Sequence, residues 1–228
     1  TRSSHGAGRF WARTVTALAM LPVMAGVLSA SGSTEDLRAA VAADYKTHLE
    51  ELFIHFHKNP ELSFQETDTA ARLARELRAV GFDVTEKVGG TGLVALMENG
   101  PGPLVMMRAD MDGLPVEEKS GVPYASRAKQ IDPNGNEVFV MHACGHDVHI
   151  TSLVGTARQM ASRRDAWSGT LMLIGQPAEE RITGARAMME DDLWERCGVP
   201  DMAMAFHVSS TVPTGKLGAA VGAQFSGG

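Results

Sequence analysis

The amino-acid sequence predicts an α/β fold in which helices cover a mostly parallel central sheet. Short apolar runs alternate with segments of helical periodicity, which is typical of α/β layered domains. Four of the runs are continuously apolar, as expected for strands buried on both faces. The chain has 228 residues, 44% apolar and 21% charged, which is enough for one domain with a sizeable core.

Two helices are predicted before the first strand. The first begins after Ser33 and runs to Pro60, because apolar residues recur there at helical spacing. Ser63 and Glu66 form a capping-box pattern that opens the second helix, and Gly81 ends it.

Six strands and two further helices are predicted after Gly81. The strands are expected at residues 82–88, 93–97, 104–107, 138–141, 170–174 and 202–206. The last four are the continuously apolar runs. Helices are expected at residues 150–160 and 184–196, between strands, as the α/β pattern requires.

Residues 1–32 predict a secretory signal peptide or N-terminal leader. Arg9 and Arg13 precede an apolar run at 15–28, and small residues follow it. The protein is therefore expected to be exported, to the periplasm or outside the cell. A retained anchor or an internal helix in a cytoplasmic protein is the alternative. In an exported protein, Cys144 and Cys197 could form a disulfide.

The net charge is −6, and the sequence contains no cluster of Lys and Arg. Phosphate binding needs such a cluster, so no nucleic-acid partner is expected.

Groups that bind metals or transfer protons follow the four apolar strands. In strand order they are Asp110, Cys144 with His146, Glu179 with Glu180, and His207. If the strands are parallel, their carboxyl ends meet in one crevice. Thiolate, imidazole and carboxylate ligands suit borderline-soft divalent metals. Adjacent glutamates point apart in an extended chain, so one could bind metal while the other takes a proton from water.

Each of these residues alone has a more ordinary explanation. A histidine at a strand end is commonly a core or surface residue, a single cysteine is commonly a small buried apolar residue, and paired glutamates commonly begin a solvated helix. These ordinary explanations would have to hold independently at all four strand ends, which is improbable, so a common site is favoured. Three histidines of the first helix lack this support and are interpreted as surface or packing residues: His48, His55 and His57.

At these residues the sequence resembles the M20 metallopeptidase family, most closely its amidohydrolase branch. That branch includes hippurate hydrolases, N-acyl-amino-acid amidohydrolases and auxin-conjugate hydrolases. The resemblance begins near residue 40 and is carried by HKNPELSF at 57–64, RADMDGLP at 108–115, MHACGHD at 141–147 and QPAEE at 176–180.

The resemblance implies a zinc-exopeptidase-like three-layer sandwich that is incomplete in this chain. Residues 33–221 would be the first part of the catalytic domain, and residues 222–228 would begin a dimerisation or lid domain. Two divalent metal ions are implied, zinc or manganese first, with nickel or cobalt also possible. The implied ligands are Cys144, His146, Glu180 and His207.

The implied activity is hydrolysis of the amide bond in small N-acyl amino acids, amino-acid conjugates or similar peptide-like substrates. Glu179 would be the general base and then the proton donor to the leaving amine, and Asp110 would support the metal ligands. The full-length form would be a homodimer. The family's last metal-binding histidine and its carbonyl-polarising histidine are missing from this sequence, so the chain alone is expected to be inactive.

Three alternatives remain at this point. A dipeptidase or aminopeptidase of the same superfamily is the nearest, although those branches usually place a metal-binding histidine where this sequence has Arg108. A non-catalytic metal-binding domain is the second. In the third, Cys144 is a nucleophile with His142 or His146 as its base.

Overall fold

The structure is a computed structural model that describes residues 34–218. The predicted leader at 1–32 and the predicted domain start at 222–228 lie outside these residues. The elements are α1 (Thr34–Asp44), a π-helical turn (Tyr45–Leu49), α2 (Glu50–Lys58), α3 (Thr67–Ala79), β1 (Asp83–Val88), β2 (Gly92–Asn99), β3 (Leu104–Asp110), β4 (Lys129–Ile131), β5 (Glu137–Phe139), α4 (His146–Ser162), β6 (Gly169–Gln176), α5 (Gly184–Glu190), α6 (Leu193–Cys197) and β7 (Met202–Ala205).

The main sheet has five strands in the order β1-β2-β6-β3-β7. β3 runs parallel to β6 and to β7, whereas β2 is antiparallel to β1 and to β6. The α/β class is confirmed, but the sheet is mixed. β1 and β2 are joined by a short glycine turn, which permits only antiparallel pairing, since parallel strands need a long crossover. The parallel half carries Asp110 at the end of β3, and its strands β6 and β7 lead into Glu179, Glu180 and His207.

Helices cover both faces of this sheet. Alternate side chains of a strand point to opposite faces, and this divides the core in two. Leu93, Leu171 and Leu173 pack in one cluster with residues of α2, α3 and α4. Met172 and Ile174 pack in the other cluster with residues of α5 and α6. The predicted three-layer arrangement is therefore confirmed.

The predicted capping box at the start of the second helix is wrong. The hydroxyl of Ser63 donates to Asp112 Oδ2 at 2.6 Å, and the buried carboxylate of Glu66 accepts hydrogen bonds from Thr91 and Ala178. Glu61 caps the helix instead, because its Oε2 accepts the backbone N–H of Thr69 at 2.7 Å.

Two predicted strands differ from expectation. The run at 138–141 is not in the central sheet, because Glu137–Phe139 pairs with Lys129–Ile131 in a separate two-stranded hairpin. The run at 202–206 forms β7, but Met202–Ala205 is exposed throughout. It lies at the sheet edge and pairs with β3 only, so among the described residues it is not buried on both faces.

The predicted helix at 184–196 is two helices. The helical backbone is interrupted at Asp192, which has a φ of +58° and directly precedes α6. Within residues 34–218 no helix combines the length and apolarity needed to cross a bilayer. Cys144 and Cys197 are both free thiols, and the disulfide considered from the sequence is not formed.

Candidate metal centre

Asp110 ends β3 inside the protein and is fully buried. Its Oδ1 accepts a hydrogen bond from His149 Nδ1 at 2.6 Å, and its Oδ2 accepts one from Arg108 Nη1 at 2.7 Å. Burial alone would raise the pKa of Asp110, but the hydrogen bond from His149 and the charges of His146 and Arg108 outweigh it and lower the pKa to about 2. Asp110 is therefore a fixed negative charge beneath the site.

His146 is the first residue of α4 and has no exposed surface. Its Nδ1 lies 2.8 Å from the backbone carbonyl of Asp112, which can only accept, so Nδ1 carries the proton. The other ring nitrogen, Nε2, then presents a lone pair. Nε2 is buried and has no hydrogen-bond partner in the described part of the chain. This is the arrangement of a metal-binding histidine oriented by a hydrogen bond on its far side.

Gly145 makes the close approach to this site possible. It has a φ of +83°, and a Cβ at this position would lie 2.4 Å from Cγ2 of Val208. The turn it forms brings Cys144 next to the segment that follows β7. Cys144 Sγ and His207 Nε2 are 3.3 Å apart. His207 Nδ1 donates to the carbonyl of Val208 at 2.5 Å, so its Nε2 is also free to accept.

Glu179 and Glu180 lie in the 3-10 turn Glu179–Arg181 that follows β6. They do not form the extended chain assumed from the sequence, and both carboxylates approach the same atom. Glu179 Oε2 is 3.7 Å and Glu180 Oε1 is 3.8 Å from His146 Nε2. Glu180 Oε1 is buried without a hydrogen-bond partner among residues 34–218.

The six predicted site residues therefore converge. Potential ligand atoms lie within 4.8 Å of one another in three overlapping groups: Cys144 with His146 and His207; His146 with Glu179 and Glu180; and Asp110 with His146 and His149. All three groups share His146. His146 Nε2 and Glu180 Oε1 are buried atoms with lone pairs and no hydrogen-bond donor among the described residues. A cation bound between them would compensate for the missing hydrogen bonds.

The electrostatics also favour a cation. Burial raises the pKa of Cys144 to about 11, and the nearby charges of Glu180, Glu179 and Asp110 add to this shift. Burial also raises the pKa of Glu180. Burial alone would lower the pKa of His146, but its hydrogen bond to Asp112 and the charge of Asp110 raise it. Burial is the largest cause for Cys144 and Glu180, and the neighbouring carboxylates add negative charge that a divalent metal would neutralise.

The same surroundings argue against Cys144 as a nucleophile. Reactive cysteines have lowered pKa values and lie in electropositive surroundings, because the thiolate is the reactive form. Here burial and the nearby carboxylates raise the pKa of Cys144 and disfavour the thiolate unless a metal ion binds it.

Two residues of the site were missed by the sequence reasoning. His149 is three residues beyond His146 on α4, and it links Asp110 to the backbone N–H of Val208, which donates to His149 Nε2 at 3.0 Å. The His-x-x-His spacing places both rings on one face of a helix, but the apolar pattern predicts a helix only from residue 150. Asp112, 1% exposed, touches both the His146 ring and the turn that carries the two glutamates.

His57 is more than a surface or packing residue. Its Nδ1 lies 2.6 Å from Asp147 Oδ2, and its Nε2 lies 3.1 Å from Glu118 Oε1. Burial alone would lower the pKa of His57, but the hydrogen bonds to Asp147 and Glu118 raise it. His57 thus ties α2 to the residue that follows His146.

A cavity of about 230 Å³ opens beside Glu180. Its lining includes apolar side chains, a cation and hydrogen-bonding groups: Leu62, Leu114, Pro115, Pro133, Ser63, Asn134 and Arg181. A small molecule bound there would lie next to Glu180.

Comparison with known proteins agrees with this geometry. Residues 106–223 match peptidase family M20/M25/M40. The hippurate hydrolase of Campylobacter jejuni is 41% identical over 154 residues, which are 67% of this chain and 37% of that protein. Thermostable carboxypeptidase 2 of Saccharolobus solfataricus is 43% identical over 163 residues, which are 70% of this chain and 38% of that protein.

A solved structure shares the fold. The YXEP protein of Bacillus subtilis, described as a dinuclear metal binding peptidase from the M20 family, superposes with a TM-score of 0.65 at 34% identity, covering 75% of this chain and 45% of that one. The chain spans less than half of the length of each of these relatives. The family match extends over more than half of the sequence and includes all of the converging residues. The chain belongs to peptidase family M20/M25/M40.

Proposed function

We propose that the protein is a metal-dependent hydrolase that cleaves the amide bond of N-acyl amino acids or amino-acid conjugates. The observation that carries this proposal is the pair of buried, unpartnered atoms His146 Nε2 and Glu180 Oε1, with the carboxylate of Glu179 beside them. The hippurate hydrolase of Campylobacter jejuni, 41% identical, supports the choice of an acylated amino acid as substrate.

Cys144, His146, Glu180 and His207 are the proposed metal ligands. Two divalent ions are proposed, zinc or manganese in preference to nickel or cobalt, because the donor set combines a thiol, imidazoles and carboxylates. When bound, the metal supplies Lewis acidity and lowers the pKa of bound water to about 7.

Glu179 is the proposed general base. Its side chain is 18% exposed, whereas His146 beside it has no exposed surface, so Glu179 can reach both the buried ligands and an incoming substrate. Its carboxylate would accept a proton from water and then donate it to the nitrogen of the leaving amine. Asp110 would hold His149 and thereby the segment that carries His207.

Cleavage of a peptide bond is the second candidate. The 43% identity to thermostable carboxypeptidase 2 supports it. Arg108 supports the first candidate, because the family resemblance implies a metal-binding histidine at this position in peptidase branches. Its guanidinium instead donates to Gln176 Oε1 at 2.8 Å and to Asp110 Oδ2 at 2.7 Å. Hydrolysis of hippurate and of a glycine-containing dipeptide by the whole protein, compared at equal concentration, would separate the two.

Metal analysis of the purified chain tests the metal site itself. We expect bound zinc or manganese in the wild type and a large loss of metal in Cys144→Ala. The matched variant Cys197→Ala removes the other free thiol and should keep its metal. Equal metal content in Cys144→Ala and the wild type would contradict the assignment of Cys144 as a ligand.

Export and assembly are also proposals. The basic and apolar pattern of residues 1–32 supports export, and the family resemblance supports a homodimer of the full-length form. N-terminal sequencing of protein from an exporting host and light scattering of the full-length protein test these two points.

A further inference from the structure

The turn that carries the two glutamates has an unusual backbone. Ala178 and Ile182 are not glycines, yet they have φ values of +47° and +55°. Such residues are uncommon in the left-handed region and persist only where the surroundings hold them. The turn also folds closely on itself, because a Cβ at Gly184 would lie 1.5 Å from the carbonyl oxygen of Pro177.

Two carboxylates from distant parts of the chain hold three consecutive backbone amides of this turn. The N–H of Ala178 donates to Glu66 Oε1 at 2.7 Å. The N–H groups of Glu179 and Glu180 donate to Asp112 Oδ1 and Oδ2, each at 3.1 Å.

Both carboxylates are buried, with Glu66 at 0% and Asp112 at 1% exposure. Burying two acids costs free energy unless their oxygens accept hydrogen bonds, and here the amides of the turn supply those bonds. Each acid also accepts a hydrogen bond from a hydroxyl group: Glu66 Oε2 from Thr91, and Asp112 Oδ2 from Ser63. Hydrogen bonds from backbone amides to a carboxylate are short-range and directional, so they fix the orientation of the peptide planes.

We propose that Glu66 and Asp112 form a carboxylate clamp that positions Glu179 and Glu180 for their work in the metal centre. By fixing three successive peptide planes, the clamp sets the direction in which the two side chains leave the backbone. Their carboxylates consequently lie 3.7 and 3.8 Å from His146 Nε2. The inference rests on the proposed function, because it concerns the same ligands.

Asp112 has a second contact that strengthens this inference. Its Oδ1 lies 3.3 Å from His146 Nδ1, and its backbone carbonyl accepts from the same nitrogen. One residue therefore connects the turn with Glu180 to the helix start with His146. Neither Glu66 nor Asp112 belongs to a group of potential ligand atoms around the centre, so both act through other residues.

The hydrogen bonds of the clamp predict which variants should bind metal more weakly and which should not. In Asp112→Asn, one carboxylate oxygen becomes an NH₂ group, which cannot accept the N–H of Glu179 or Glu180. Glu66→Leu leaves the Ala178 N–H without an acceptor. Glu66→Gln keeps an oxygen for Ala178 and turns its NH₂ group towards the Thr91 hydroxyl, which can accept.

The test is titration of the wild-type chain and its variants with cobalt(II), in competition with a chelator, followed by absorption. Cobalt reports on its ligands through a thiolate charge-transfer band from Cys144 and through d–d bands that depend on the other donors. We expect Asp112→Asn and Glu66→Leu to weaken binding by about 10- to 100-fold and to change the d–d bands while the thiolate band persists at saturation. Glu66→Gln should restore wild-type affinity to within about threefold.

Two control variants isolate the clamp. Thr91→Val removes the other hydrogen bond of Glu66, and Ser63→Ala removes the hydroxyl from Asp112, while both leave the three amide contacts in place. Both should bind cobalt with wild-type affinity. If Glu66→Leu does not fold, the comparison of Asp112→Asn with Ser63→Ala carries the test.

The outcomes separate the clamp from the metal centre. Absence of cobalt binding by the wild type overturns the proposed function and the clamp with it. Wild-type binding together with unchanged affinity and spectra in Asp112→Asn overturns the clamp alone. Equal losses in Glu66→Gln and Glu66→Leu also overturn it, because the conservative variant keeps the amide contact.

Discussion

His146 Nε2 and Glu180 Oε1 face each other at 3.8 Å inside the protein, and neither has a hydrogen-bond donor among residues 34–218. Two lone pairs in this arrangement repel each other unless a proton or a cation lies between them. The centre is therefore built for a positive charge, and its behaviour should depend on metal and on pH.

Metal affinity should rise with pH. Burial and neighbouring carboxylates hold the pKa of Cys144 at about 11, so the thiol is protonated at neutral pH and must lose its proton when a metal binds. Between about pH 6 and 8, each pH unit should strengthen zinc binding up to about tenfold. Competition with a buffered chelator at several pH values measures this slope. Cys144→Ala should show a shallower slope, and an identical slope would contradict thiolate ligation.

Replacement of the proposed base should separate catalysis from metal binding. In the whole protein, Glu179→Gln should lower kcat by about 10²- to 10⁴-fold, because no carboxylate remains to accept the proton from water. Metal content should stay at the wild-type level, since Glu180 supplies the proposed ligand. The matched variant Glu180→Gln should lose metal as well as turnover. A Glu179→Gln protein with the wild-type rate would show that the proton acceptor is another group.

The bridge from His57 to Asp147 and Glu118 should make stability depend on pH. The folded-state pKa of His57 is raised above its ordinary 6.5, so the bridge contributes fully below that value and less as pH rises through the folded pKa. His57→Gln should therefore lower Tm by about 4 °C or more near pH 6, and by less near pH 9.

Thermal unfolding of both proteins across this pH range measures the effect of His57. His55 lies on the same helix, but burial lowers its pKa, so His55→Gln should not lose more stability at the acidic end. A constant Tm difference between the wild type and His57→Gln would show that the bridge is uncharged.

The Asp110 carboxylate should stabilise the fold at neutral and mildly acidic pH. Its pKa falls from 3.8 to about 2, so its contribution is present above the unfolded value and is lost as pH falls through about 2. At neutral pH, Asp110→Asn should lower the free energy of unfolding by about 3 kcal/mol, because Arg108 and His149 lose a buried charged partner. Urea titrations at decreasing pH should show this difference shrinking, and a difference independent of pH would contradict the assignment.

The convergence of the site could be predicted from the sequence because it follows from strand order. Asp110, Glu180 and His207 follow strands that are parallel neighbours in the sheet, so the rule on carboxyl ends applied. Cys144 and His146 reached the site by another route, since the strand before them belongs to a separate hairpin. They arrive through the turn at Gly145, whose left-handed conformation a pattern of apolar residues does not indicate.

The supporting residues could not be predicted, because they act on the backbone. Ser63 and Glu66 have the spacing of a capping box, yet Glu66 binds the amide of Ala178, more than a hundred residues away in the sequence. Local sequence patterns describe contacts within a turn or two, whereas this contact depends on tertiary packing. The role of Asp112 could not be predicted either, because it accepts backbone N–H groups, which almost every residue carries and which leave no mark in the sequence.

The exposed edge strand Met202–Ala205 affects how the chain will behave in solution. Met202, Met204 and the adjacent Phe206 are 60%, 44% and 48% exposed, beside backbone groups on the outer edge of β7 that no described strand pairs. An apolar edge of this kind can accept a strand from a second molecule. Concentrated solutions should therefore contain oligomers that sedimentation velocity detects, and Met204→Lys should return the chain to a monomer by setting like charges against each other where two copies meet.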